Sequence, residues 1–337
     1  MKPIDWTNLG FEYTEADYLI RCSYKDGHWG ELRATKDKYL NLHACATALQ
    51  YGQEAFEGLK AIRGVDGKVR IFRMEENAKR LRSSAEALYM APVPTNLFTD
   101  AIRLSLKLNI DYLPPYGTGA SLYFRPLLIG TSPRLGVGPG SDYEFVVIAS
   151  PIGEYFKGKF HTTTFIITRH VDRAAPLGTG AYKVGGNYAA SFRATEPNHQ
   201  QGYGTLFLDS KYHRYIDECG AANFIGIKDN TYITPRSRSI LPSITNNSFM
   251  SLAVELGMRV ERRHIEVSEL SSFEECAACG TASIISPIGM IIDPDKGRAY
   301  DYGKEPGAWS RRLYDAILDV QYGRRADNHG WCEIADI

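Results

Sequence analysis

The chain lacks an excess of either charge: 39 lysines and arginines balance 39 aspartates and glutamates over 337 residues. A nucleic-acid binder would show a basic surplus or patch. The densest basic cluster, Arg262, Arg263 and His264, sits among glutamates and reads as a solvated face. Long apolar runs are also missing, and nothing approaches the roughly 20 apolar residues of a membrane span. The opening MKPIDWTNLGFEY has no apolar core of a signal peptide. A cytoplasmic protein, with neither membrane nor nucleic acid as partner, is the expectation. Six scattered cysteines (Cys22, Cys45, Cys219, Cys276, Cys279, Cys332) give no disulfide framework in a chain this long, so reduced thiols are expected.

Familiar catalytic motifs are absent too. Gly178-x-x-x-x-Lys183 fails as a P-loop, with Tyr182 where glycine belongs and Val184 where a magnesium-holding hydroxyl belongs. GVGPGS at 136–141 misplaces the third glycine of a dinucleotide loop and inserts Pro139. The eight histidines form no zinc-ligand spacing, so no metal is expected, and there is no nucleophile elbow. Cys276-Ala-Ala-Cys279 has no thioredoxin-like setting and reads as two buried strand cysteines.

What is present alternates between strand and helix, an α/β or α+β signature. Residues 69–72, 121–130, 143–150 and 204–209 read as strands, and 216–233 as strands meeting at an Asp229–Asn230 turn. Residues 75–89 predict a helix with Ala78, Leu81, Ala85 and Leu88 on one face, 243–257 a helix stopped by Gly257, and 308–322 a last one. The pattern restarts after 151–159, which sets a domain boundary there.

One stretch does not fit a surface reading easily. GTGAYKVGGNYAAS (178–191) puts a single lysine, Lys183, among glycines and alanines. Its four glycines would allow special dihedrals and the approach of a bulky planar group. Apolar surroundings would lower the lysine pKa and make it nucleophilic. On the residues alone, a surface lysine and a catalytic one both stay open.

The motifs YGQEAFEGLKA (51–61), LYFRP (122–126), AYKVGGNYAAS (181–191), YIDECGAANF (215–224), LPSIT (241–245) and GTAS (280–283) follow one another along the chain. In that order they resemble the branched-chain aminotransferases, fold-type IV pyridoxal-phosphate enzymes of the D-alanine-aminotransferase-like kind. The resemblance spans essentially the whole chain. It implies a smaller N-terminal α/β domain over 1–154, a connection with the first strand over 155–182, and a larger cofactor-binding domain over 183–337, with pyridoxal 5′-phosphate in the cleft between domains.

By this resemblance Lys183 matches the lysine that forms a Schiff base with the cofactor. The same amine then shuttles a proton between the substrate Cα and the cofactor C4′, a transfer worth roughly 10²–10⁴-fold. Glu218 matches the glutamate at the pyridine nitrogen, with Asp217 facing the other way on a strand. Arg80 matches the phosphate-gripping arginine, and Tyr188 the partner of the 3′-oxygen. Leu241, Ile244 and Thr245 would bring a helix N-terminus to the phosphate, and Gly280 and Thr281 a second cradle. Tyr123 and Arg125 would hold the substrate carboxylate, helped by the turn amides of Thr281 and Ala282. Tyr51, Phe56 and Tyr155 would line an apolar side-chain pocket, and Val137 would reach the partner's site in a homodimer.

The implied activity moves an amino group between leucine, isoleucine or valine and 2-oxoglutarate in a ping-pong cycle, with amino acids and 2-oxo acids as partners. Three departures from the family pattern stand out. The CxxC precedes the GTA turn rather than following it, so no thiol switch is carried over; Ser243 stands where many relatives have glycine, and Ala221 where others have threonine. Rival readings are a D-amino-acid aminotransferase or aminodeoxychorismate lyase of the same fold, a non-catalytic binding protein, and a cofactor-free Schiff-base enzyme. An intact Lys183, Glu218 and Arg80 set argues against the non-catalytic reading, and the two phosphate cradles against the cofactor-free one.

Overall fold

The computed structural model describes residues 4–153 and 160–337. The chain divides into two compact units, one of Met1–Tyr155, Tyr182–Gly185 and Asp319–Ile337, the other of Phe156–Ala181 and Gly186–Leu318. The expected assignment of 183–337 to one domain is therefore corrected at both ends. Residues 182–185 and the C-terminal segment belong with the first unit, because their hydrogen bonds are made there.

In the first unit β1 (Leu19–Lys25), β2 (His28–Trp29), β3 (Arg33–Thr35), β4 (Glu54–Phe56), β5 (Leu59–Arg63), β6 (Val69–Phe72), β7 (Ser121–Gly130) and β8 (Tyr143–Ile152) form one antiparallel sheet. Its order is β6-β5-β7-β8-β1-β2, with β3 on β1 and β4 on β7. Helices α1 (Thr47–Tyr51), α2 (Met74–Ala87) and α3 (Thr95–Leu108) accompany it. The apolar spacing of α2 does what it predicts: Ala78, Leu81 and Ala85 are buried in the unit's core, and Leu88 packs against it half-buried. Strand β7 alternates, with Leu122, Phe124 and Leu128 buried while Tyr123 and Arg125 share the other face. Pro126 is tolerated within β7 because its missing N–H faces the 57–58 break between β4 and β5.

The second unit holds β9 (Thr163–Thr168), β10 (Gly204–Leu208), β11 (Ile216–Cys219), β12 (Ala222–Lys228), β13 (Thr231–Pro235), β14 (Arg259–Arg263), β15 (Glu275–Gly280), β16 (Ile284–Asp293) and β17 (Arg298–Asp301). Strand β11 pairs with both β10 and β12, so hydrogen bonding closes into a ring of β11-β10-β9-β16-β15-β12. Closure removes the edges that a strand this apolar would otherwise expose. The β12–β13 hairpin turns at Asp229 and Asn230, both with positive φ, as the two-residue turn requires. Helices α4 (Gly185–His199), α5 (Ile244–Glu255) and α6 (Ala308–Gln321) complete the set, and β18 (Cys332–Ala335) returns to pair with β6. Among the described residues no helix is long and apolar enough to cross a membrane.

Helix α4 has no apolar stripe to announce it. A side-chain clasp ties its first turn to the preceding loop: Thr179 Oγ1 donates to Asn187 Oδ1 at 2.7 Å, and Asn187 Nδ2 to the Thr179 carbonyl at 2.7 Å. The glycine reading is also corrected. None of Gly178, Gly180, Gly185 and Gly186 has a positive φ. Two of them serve close approach instead: a Cβ on Gly180 would lie 2.3 Å from the Ser239 carbonyl oxygen, and one on Gly185 1.6 Å from Glu54 Oε1.

Candidate active site

The first unit gathers the amine and most of the cations expected at the site. Arg80, on α2, is held by Glu57 through Nε–Oε1 at 2.7 Å and Nη2–Oε2 at 2.8 Å. Glu57 is wholly buried and also accepts Asn77 Nδ2 at 2.8 Å and the Gly58 amide at 3.2 Å. This fixes the plane of the Arg80 guanidinium.

Lys183 places its Nζ 4.6 Å from the centroid of Phe56, and Arg125 its guanidinium carbon 4.8 Å from the same centroid. Arg125 Nη2 donates to the Tyr123 hydroxyl at 3.0 Å. Burial pushes the Tyr123 phenol above its usual pKa, and Arg125 opposes that shift, so the hydroxyl stays a neutral donor. Tyr51, at the end of α1, is partly exposed and donates to the Leu135 carbonyl. Val137 is 89% exposed. Tyr155 lies outside the described residues.

In the second unit Glu218 is buried on β11. Its Oε1 accepts the Leu241 amide at 2.7 Å, and Asn223 Nδ2 stands 3.4 Å from the same oxygen. Its Oε2 is 3.3 Å from Arg173 Nε, a charge contact without hydrogen-bond alignment. Arg173 also donates to the carbonyl of Ser239, and Nη2 lies 3.4 Å from that of Gly180. The neighbouring Asp217 accepts from the Ser239 hydroxyl. Leu241, expected at the cofactor, thus spends its amide on Glu218.

Helix α5 opens as LPSIT requires. Ser243, not Thr245, is the N-cap, its hydroxyl accepting the Asn246 amide at 3.1 Å. The amides of Ile244 and Thr245, first in the helix, stay outside that cap and are the ones a phosphate would take. Gly280 ends β15, and the turn through Thr281 and Ala282 enters β16 at Ile284 with φ +66°. A β-branched residue in that region costs about 1–3 kcal/mol, a strain that concentrates at ligand clamps. Tyr188 lies on the first turn of α4.

Four residues now at these sites carried no assigned role in the sequence: Glu57, Arg173, Glu54 and Ser84. Glu57 had a signal, a lone acid in the apolar run AFEGLKAI. Arg173, Glu54 and Ser84 had none, since their partners lie far along the chain.

The profile of the Amino-transferase class IV family matches residues 54–291. The chain is 46% identical to the branched-chain-amino-acid aminotransferase of Haemophilus influenzae, over 98% of each chain. It is 45% identical to that of Helicobacter pylori, again over 98% of each. Among solved structures, a branched-chain amino acid aminotransferase from Escherichia coli superposes with a TM-score of 0.78 at 25% identity, covering 96% of this chain and 100% of that one. A thermophilic branched-chain amino acid aminotransferase crystallised with pyridoxamine 5′-phosphate superposes with a TM-score of 0.80 at 26% identity, covering 96% of this chain and 99% of that one. The chain belongs to the class IV aminotransferase family. Its fold is the fold-type IV architecture.

Proposed function

We propose that the protein is a pyridoxal-phosphate-dependent branched-chain amino acid transaminase, exchanging the amino group of leucine, isoleucine or valine with 2-oxoglutarate. The observation that carries the reading is the shared ring of Phe56. An α-amino acid bears its amine and carboxylate on adjoining carbons, and here the amine of Lys183 and the guanidinium of Arg125 lie 4.6 and 4.8 Å from one aromatic centroid.

The residues present suit the cofactor: a lysine for its aldehyde, a buried carboxylate for its pyridine nitrogen, and the α5 amides with Arg80 for its phosphate. When bound, pyridoxal phosphate supplies an aldehyde that condenses with amines and a ring that accepts the electron pair left at the substrate Cα. Lys183 takes the proton from that Cα and returns it at C4′. Glu218 keeps a proton on the pyridine nitrogen, and Arg173 supports it by favouring the ionised carboxylate. Tyr188 donates to the 3′-oxygen. Arg80, Ile244, Thr245, Gly280 and Thr281 orient the phosphate, while Arg125, Tyr123 and the Thr281–Ala282 amides orient the substrate carboxylate. Tyr51, Phe56 and Tyr155 exclude water around an apolar side chain, and reject charge there because an unpaired buried charge is costly. The two substrates use the site in turn. Exposure of Leu135 (78%) and Val137 (89%) supports a homodimer in which this loop meets the partner's site. The cytoplasm is the proposed location.

The test is direct. The purified protein should be yellow, borohydride should fix the cofactor to Lys183 in a mass spectrum, and L-leucine with 2-oxoglutarate should yield glutamate. Reaction with D-alanine alone would overturn the substrate assignment; a colourless protein that takes up no added cofactor would overturn the whole reading.

A further inference from the structure

Lys183 sits in a four-residue visit of the chain to the first unit, between Ala181 and Gly186 of the second. Three consecutive residues are fastened there. The Lys183 amide donates to Ser84 Oγ at 2.9 Å. The Lys183 carbonyl accepts the Phe56 amide at 3.0 Å. Val184 is 3% exposed, buried in the first unit's core, and bridges Ala55. The Gly185 amide donates to the Glu54 carboxylate.

We infer that Ser84 and Glu54 are positioning residues that clamp the backbone on either side of the Lys183 side chain and so set where its amine can reach. Ser84 is fully buried on α2 and lies four residues after Arg80, on the same helix face. One rigid helix thus carries both the arginine proposed for the phosphate and the hydroxyl that holds the lysine's backbone. Glu54 stands two residues before Phe56 on β4, so both point to the same side of that strand. Gly185 is required because any side chain would occupy the place of the Glu54 carboxylate. A lysine has four side-chain torsions, and fixing its backbone leaves only those to be ordered when the amine moves a proton. The inference rests on Lys183 being the reacting amine.

Hydrogen exchange of the cofactor-free protein tests it without reference to activity, using peptides that span 182–186. With Ser84→Ala and with Glu54→Ala, the amides of residues 183 and 185 should exchange at least about tenfold faster, while those of β7 and β8 keep their rates. Glu54→Gln retains an acceptor and should exchange as the unsubstituted protein does. In the reconstituted enzyme, the two alanine variants should lower kcat more than they raise KM and shift the pH dependence of the bound cofactor's absorbance; Glu54→Gln should restore the kcat. Unchanged exchange at 183–185, or equal acceleration throughout the first unit, would sink the inference. Should Ser84→Ala fail to fold, the Glu54 pair decides alone. If borohydride fixes no cofactor to Lys183 in the unsubstituted protein, the reading of function falls instead, and the exchange result identifies the clamp independently of it.

Discussion

Arg80 and Glu57 meet in a two-pronged ion pair, 2.7 and 2.8 Å long, whose carboxylate is wholly sealed from solvent. Such a pair is costly to break from one side, because the partner left behind is an uncompensated buried charge. Glu57→Ala and Arg80→Ala should each cost about 3–5 kcal/mol, read as a lower denaturant midpoint with an unchanged slope. Replacing both, Arg80→Met with Glu57→Leu, should recover most of that stability yet bind pyridoxal phosphate far more weakly. A double variant that kept the cofactor as tightly would remove Arg80 from the phosphate site.

Arg173 stands to Glu218 as a buried counter-charge, at 3.3 Å. Arg173→Met should leave the Glu218 carboxyl protonated, so that the pyridine nitrogen loses its proton-holding partner. A fall in kcat of about 10²-fold or more is expected, comparable to the loss of one preorganised charge. Arg173→Lys should recover part of it. The check is kcat together with the absorbance of the bound cofactor against pH; a spectrum unchanged in Arg173→Met would refute the link.

Burial holds the Asp217 carboxyl above the usual carboxylate range, against the opposing hydroxyls of Ser239 and Ser237 and the charge of Arg173. Its Oδ1 has no hydrogen-bond partner. The folded protein therefore binds that proton more tightly than the unfolded chain, and the stability it contributes is present at acid pH and lost as pH rises through the raised value. Asp217→Asn should raise Tm near neutral pH, with the gain shrinking as the pH is lowered towards the usual carboxylate range. A gain that grew on acidification would show the sign to be wrong.

Cys276 and Cys279 are free, buried, and three residues apart on β15, so their side chains point to opposite faces. Burial pushes both thiols well above their usual range. Neither should react with alkylating reagents in the folded protein, whereas the half-exposed Cys45 should. Activity should survive mild oxidation; reversible inactivation abolished by Cys276→Ser would overturn this.

Local pattern was enough for much of the fold. The 3–4 spacing of Ala78, Leu81 and Ala85 predicts α2, the alternation of LYFR puts Tyr123 and Arg125 on one face, and Asp229–Asn230 announces its turn. Each depends on neighbours within a few residues. Helix α4 escaped because its stability comes from the Thr179–Asn187 clasp rather than from an apolar stripe. The second-domain limit escaped because β18 pairs with a strand some 260 residues earlier.

The chemistry of the candidate site was legible in the same uneven way. The sequence by itself determined which groups are present: an amine in a small-residue loop, an acid in a strand, a serine-capped helix start, and an arginine beside a tyrosine. These are properties of residue type and short spacing. Only the tertiary structure decided what holds each one. Glu57 orients Arg80 from 23 residues away, Arg173 meets Glu218 across 45, and Ser84 receives the Lys183 amide across 99. A buried charge or amide must find a partner wherever the fold supplies one, and no local spacing records where that is.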